Sequence, residues 1–196
     1  ATHGAPLGGD AYKNTILNLG GDLENPFVIF DEVKELYAKR AEELKIIMAG
    51  RYAEEKAWAA ANPEKAQMQQ DWFDGKIPAI DWDSIQQKPN GPTRAGSAVV
   101  LGVLAETVKN MTCSSADLCN SDKTDGFLKK TQIFMKGDFS GAFLQAGVAE
   151  LTMACVCMGM MLHGGVISSC GTFFVFSDYM KPAVRMAALM QLPVKF

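Results

Sequence analysis

Gly147-Val148-Ala149-Glu150-Leu151-Thr152-Met153-Ala154-Cys155-Val156-Cys157-Met158-Gly159-Met160-Met161-Leu162-His163-Gly164-Gly165 reads as a loop, a buried helix and a glycine stop. The apolar segment from Leu151 to Leu162 is too short to span a bilayer and is closed by two glycines. Glu150 is the only formally charged side chain between Asp138 and Asp178. A carboxylate drawn into an apolar interior loses hydration worth roughly several kcal/mol unless it finds a partner or keeps its proton. Two readings of Glu150 stand side by side. It is held for chemistry, or it lies in the first turn of a helix, accepts backbone N–H groups and is stabilised by the helix dipole.

Outward from this helix, short apolar runs alternate with helical patterns. Strands are expected near Met111–Ser114, Phe143–Ala146, Val166–Ser169 and Val194–Phe196. Helices are expected from Thr93 through Lys109, with Thr93 as cap and Val99, Val100, Leu104 and Val108 buried, and from Phe176 to Met190. That alternation predicts an α/β fold: a parallel sheet with helices on both faces. Ligands of such sheets bind beyond the carboxyl ends of the strands. Ser115-Ala116-Asp117-Leu118, Gly147 to Glu150 and Gly171-Thr172-Phe173 all follow strands, so they are expected to converge on one rim. Phe173, Phe176 and Tyr179 recur every third residue, which in a helix gathers three rings on one side. Alone, such a stripe is a core pattern.

The chain upstream is mostly helical. Asp31 to Ala61 carries Val33, Leu36, Tyr37, Leu44 and Ile47 on an apolar stripe, with Asp31 as cap and Asn62-Pro63 as stop. A second helical piece runs to about Trp72, and Gly- and Pro-rich stretches up to Pro92 read as linker. The expected division is 1–92 and 93–196. With a net charge of −3 and no Lys/Arg run, nothing draws the chain to nucleic acid or an acidic membrane surface. Its five cysteines, an odd number in or beside apolar runs, fit reduced, buried thiols of a cytoplasmic protein. Cys155 and Cys157 face different directions on a helix, so no metal site is expected.

Several of these stretches together resemble the pyrimidine-binding domain of transketolase. The matching pieces are Gly147 to Glu150, Leu162-His163-Gly164-Gly165, Gly171-Thr172-Phe173 and Tyr179 through Met190. Ser114-Ser115-Ala116-Asp117-Leu118 is similar to the family's Gly-Ser-Ala-Asp-Leu. The opening His3-Gly4-Ala5-Pro6-Leu7-Gly8 resembles the segment that closes the family's diphosphate-binding domain. By this resemblance, residues 1–92 are the end of that domain plus a helical interdomain linker, and 93–196 form a pyrimidine-binding domain that stops short of the family's Thr-His-Asp segment.

The resemblance also implies roles. Phe173, Phe176 and Tyr179 would form an apolar pocket for the aminopyrimidine of thiamine diphosphate, and Glu150 would share a proton with its ring nitrogen N1′. Apolar surroundings suit a carboxyl that exchanges a proton near neutral pH. Asp117 and Leu118 would lie near the thiazolium, His3 near the cofactor phosphates and the substrate, and Arg94 and Ser121 on the phosphate of a sugar phosphate. Mg2+ or Ca2+ would be held by the diphosphate domain, supplied by other sequence or a separate subunit, and this chain alone would be inactive. A homodimer is expected. The implied activity is transfer of a two-carbon ketol unit from a ketose phosphate to an aldose phosphate. A second thiamine diphosphate enzyme such as dihydroxyacetone synthase, and a non-catalytic assembly subunit, are the alternatives. The chain departs from the family at Ala149, Leu151 and Asp122. Asp122 places an acid where phosphate should approach, and like charges repel.

Overall fold

The computed structural model describes residues 3–196. Its contacts divide the chain into two compact units, Ala1–Asn62 and Pro63–Phe196. In the first, α1 (Gly9–Asn18) was not anticipated from the sequence, and α2 (Asp31–Ala61) has the expected bounds. Phe30 occupies the cap position of α2. Asp31 is instead the first helical residue, with its carboxylate 2.9 Å from the Lys34 ammonium. Asn62 ends the helix by donating its backbone N–H and its side-chain amide to the Trp58 carbonyl. No residue of α1 or α2 is buried, so the predicted apolar stripe lies exposed, with Leu36 at 67% and Tyr37 at 71%. Periodicity identifies an apolar face but not what covers it.

The second unit begins with α3 (Pro63–Phe73), followed by a short 3-10 turn at Trp82–Ser84 and α4 (Thr93–Thr107). Thr93 makes no side-chain cap. It follows Pro92, whose carbonyl receives the Ala95 N–H at 2.9 Å. β1 (Met111–Ser115) leads through the short helices α5 (Cys119–Asp122) and α6 (Asp125–Leu128) to β2 (Phe143–Gln145). Then come α7 (Glu150–His163), β3 (Ile167–Gly171), a 3-10 turn at Phe174–Phe176 and α8 (Ser177–Leu189). The three strands are parallel in the order β2-β1-β3. The strand expected at Val194–Phe196 reduces to one parallel bridge between Lys195 and Ser169.

Strand alternation sends side chains to two cores. On one face Met153, Ala154, Cys157 and Met158 of α7 pack with Met180, Ala183 and Ala187 of α8 around Cys170. On the other, Met111, Cys113 and Phe143 pack with Val108 and Phe127, flanked by Leu101, Leu104 and Ala105 of α4. Phe143 and Met153 are fully buried. Each such side chain contributes roughly 1.5–3 kcal/mol on burial. Val99, expected inside, is exposed on the outer side of α4. Gly126 lets α6 approach α4, because a Cβ there would collide with the backbone of Ala98. Helices therefore cover both faces of the sheet, as the alternation predicted. Among the cysteines, Cys113, Cys157 and Cys170 are buried and Cys119 is half-buried. Cys155 is exposed, because it points away from the sheet on α7.

Candidate functional site

The three strands end level. Ser115, the last residue of β1, is in register with Gln145 on one side and Gly171 on the other. The loops leaving these strands are the three stretches expected on one rim. Between the ends of β1 and β2 lies a cavity of about 300 Å³ lined by Ser115, Asp117, Cys119, Phe143, Gln145 and Gly147.

Glu150 opens α7 and is 7% exposed. Its carboxylate makes no hydrogen bond with any described residue, so it is not held as a cap on the first helical turn. Among the described residues the fully buried polar atoms without a partner are Asp125 Oδ1 and the Thr172 hydroxyl, so the Glu150 carboxylate keeps an accessible edge on the rim, open to a ligand.

Beyond β3 the aromatic residues gather without a continuous helix. Phe173 precedes the 3-10 turn, Phe176 ends it and Tyr179 lies in the first turn of α8. Ring centroids are 6.0 Å apart for Phe173 and Phe176, and 6.2 Å for Phe176 and Tyr179, with planes within about 25°. Phe173 and Phe176 are half-buried and Tyr179 is exposed, so the stack presents an aromatic surface rather than closing a core. Beside it the buried hydroxyl oxygen of Thr172 has no partner. An apolar ring edged with nitrogen would suit both: π faces for the stack, and polar atoms for the Glu150 carboxyl on the rim and the buried Thr172 hydroxyl.

After β1, Asp117 is exposed and adopts a left-handed backbone with φ 61°, followed by half-buried Leu118. Aspartate tolerates that region better than most residues. Ser121 is half-buried on α5, with its hydroxyl 3.2 Å from the Asn120 side-chain oxygen. Asp122, the acid expected where phosphate should approach, has its partners within its own loop. Its carboxylate is turned to Ser115 and Thr124 and accepts hydrogen bonds from both, so the charge is engaged inside the loop. Arg94 is exposed in the first turn of α4 and makes no ion pair among the described residues. His3 sits in an exposed turn of the first unit.

Behind the rim the thiols differ. Burial pushes the Cys113 thiol up to about 11. The neighbouring Cys170 thiol holds Cys157 down to about 7, and Cys170 is correspondingly pushed up. A larger open cleft, about 790 Å³, lies at the other end of β1 between α3 and Thr107, Lys109 and Asn110. It holds an ion pair between half-buried Asp71 and exposed Lys76 and no cluster of catalytic side chains. Among the described residues no group of three or more His, Cys, Asp or Glu is placed to hold a metal. No helix of the described residues is long and apolar enough to cross a membrane.

Sequence reasoning did not single out Ser115, Thr124 or Thr172 as individual contributors. Small hydroxyl side chains near loops leave no periodic signal, and their partners are set only by the fold.

Comparison with known proteins agrees with this geometry. The profile of the transketolase pyrimidine binding domain matches residues 91–196, and that of the transketolase thiamine diphosphate binding domain matches residues 1–78. A transketolase of Halalkalibacterium halodurans is 38% identical over 98% of this chain and 29% of its own length. One of Bacillus subtilis is 37% identical over 99% and 29%. Among solved structures, transketolase from Leishmania mexicana superposes with a TM-score of 0.77 at 25% identity, covering 97% of this chain and 28% of that one. A Pichia stipitis transketolase in complex with sedoheptulose-7-phosphate gives a TM-score of 0.75 at 29% identity, covering 97% and 29%. Fold, rim and matched profile define residues 91–196 as a domain of the thiamine diphosphate pyrimidine-binding class. The chain belongs to the transketolase family. It spans about 29% of the length of these curated relatives.

Proposed function

We propose that this chain is the part of a transketolase that binds the aminopyrimidine half of thiamine diphosphate and shapes the site where a two-carbon ketol unit passes from a ketose phosphate to an aldose phosphate. The observation that carries this reading is Glu150, a largely buried residue at the start of α7 that lies on the same sheet rim as the stacked Phe173, Phe176 and Tyr179. When bound, thiamine diphosphate supplies the carbanion chemistry that holds the two-carbon unit.

The side chains have the following roles. Phe173, Phe176 and Tyr179 bind and orient the pyrimidine ring and exclude water from one side of it. Glu150 would bond the ring nitrogen N1′ and share a proton with it. Asp117 and Leu118 shape the loop beside the thiazolium. Arg94 and Ser121 bind the sugar phosphate, a task that suits an always-charged guanidinium, and His3 contacts substrate and cofactor phosphates. The matched segment beginning at residue 91 supports a functional boundary at 92/93.

The diphosphate and a Mg2+ or Ca2+ ion are held by a diphosphate-binding domain that completes the site, and the assembly is a homodimer. Exposed Leu151, Val156 and Leu162 on α7, which carries no formally charged side chain after Glu150, support such an interface. The setting is the cytoplasm and the pentose phosphate pathway.

The test is a two-substrate assay on the protein in its native assembly, with a ketose phosphate donor, an aldose phosphate acceptor and Mg2+. Product two carbons longer than the acceptor, formed only when thiamine diphosphate is present, is expected. Saturable cofactor binding without any ketol transfer would overturn the transketolase activity and leave only the binding domain.

A further inference from the structure

Asp122 occupies the centre of the loop system after β1. The Ser115 hydroxyl donates to its Oδ2 at 2.7 Å, and the same hydroxyl oxygen accepts the Leu118 N–H at 3.2 Å. Its Oδ1 accepts the Thr124 N–H at 2.9 Å and the Thr124 hydroxyl at 2.8 Å. Ser115 and Thr124 are themselves buried, at 2% and 6% exposure. The chain between Ser115 and Thr124 contains two left-handed non-glycine residues, Asp117 at φ 61° and Lys123 at φ 73°. Such conformations persist where surrounding bonds over-determine them.

The same group reaches the next strand. A Cβ at Gly171 would lie 2.6 Å from Thr124 Cγ2 and 3.5 Å from Asp122 Oδ2. The tethered loop therefore abuts the start of Gly171-Thr172-Phe173. An ionised carboxylate suits this position because it is acceptor-only, with lone pairs for all three donors. An amide would turn an N–H toward Ser115, whose oxygen has a second lone pair to receive it, so the tether would weaken rather than vanish.

We infer that Asp122 is a positioning residue: through Ser115 it fixes the backbone at Leu118, and through Thr124 it sets that loop against Gly171 at the head of the aromatic segment. Its consequence for the cofactor rests on the proposed role of Asp117 and Leu118.

The test compares Asp122→Ala, Asp122→Asn and Ser115→Ala in the native assembly by amide hydrogen exchange, with thiamine diphosphate titrated in the presence of Mg2+. In Asp122→Ala the Leu118 and Thr124 amides are expected to exchange roughly tenfold faster and cofactor affinity to fall roughly tenfold, the scale of one lost hydrogen bond. The ladder amides of Cys113 and Cys170 should be unchanged. Asp122→Asn should recover most of both effects. Ser115→Ala should free Leu118 and leave Thr124 protected, which keeps the test open if Asp122→Ala does not fold. Unchanged Leu118 exchange in Asp122→Ala or Ser115→Ala would overturn the inference. Exchange that responds as expected in a protein whose wild type does not bind thiamine diphosphate would support the tether and overturn the proposed function instead.

Discussion

Phe173 and Phe176 stack with ring centroids 6.0 Å apart and planes 21° apart, although neither belongs to the α-helix that carries Tyr179. Phe176 is the middle ring, 6.2 Å from Tyr179. Removing it in Phe176→Ala breaks both contacts. In the proposed site Phe176 also faces the pyrimidine ring, and one aromatic contact of that kind contributes roughly 0.5–1.5 kcal/mol, so cofactor affinity should fall by up to about tenfold, while Phe176→Tyr keeps a ring there and loses much less. Titration of thiamine diphosphate against the two variants checks this. Equal affinities in wild type and Phe176→Ala would mean the stack does not hold the ring.

Gly171 is required by close approach. Its missing Cβ would sit 2.6 Å from Thr124 Cγ2. Gly171→Ala should therefore cost about 1–3 kcal/mol of stability, as overpacking does. Thr124→Ser removes that methyl and keeps the hydroxyl that donates to Asp122, so the double variant should recover most of the loss. Denaturant unfolding of the single and double variants measures the coupling, and purely additive losses would contradict the proposed clash.

Phe143 is fully buried between β1 and the α4 side of the sheet, whereas Val99 is exposed. Phe143→Ala should destabilise the second unit by about 3–5 kcal/mol and Val99→Ala by less than about 0.5 kcal/mol. Comparable unfolding midpoints for the two variants would show that the core is misplaced.

Cys113 makes stability depend on pH. Its thiol is raised from 9.0 to about 11 by burial. Below pH 9 native and unfolded chains both keep this proton. Between about pH 9 and 11 the unfolded chain releases it while the native chain retains it, so stability falls as pH rises, by roughly 2–3 kcal/mol at the upper end. Cys113→Ala should flatten that slope relative to wild type, as measured by denaturant midpoints across the range. An identical slope in both proteins would count against it.

Much of the second unit was legible because its strands and helices differ in period and in length. The rim was legible because three loops follow three parallel strands, and the spacing of Phe173, Phe176 and Tyr179 gathered the rings even though a 3-10 turn replaces the start of the expected helix. Helix α1 was missed, since its glycine-rich entry at Gly8 and Gly9 reads as loop. The exposure of the α2 stripe was hidden because a helical period carries no information about the surface that covers it. The tethering of Asp122 was hidden for a related reason. Its charge was visible, but its partners Ser115 and Thr124 are brought to it by a turn with no repeating pattern.

The most direct measurement is turnover of Glu150→Gln in the native assembly, beside thiamine diphosphate binding by the same sample. Gln keeps the shape of the side chain and cannot exchange a proton. The proposed function predicts an unchanged fold, measurable cofactor binding, and turnover lowered by about 10²–10⁴-fold, the usual contribution of a positioned acid–base group. Turnover equal to wild type would contradict it, and would leave Glu150 as a buried carboxyl with a structural role alone.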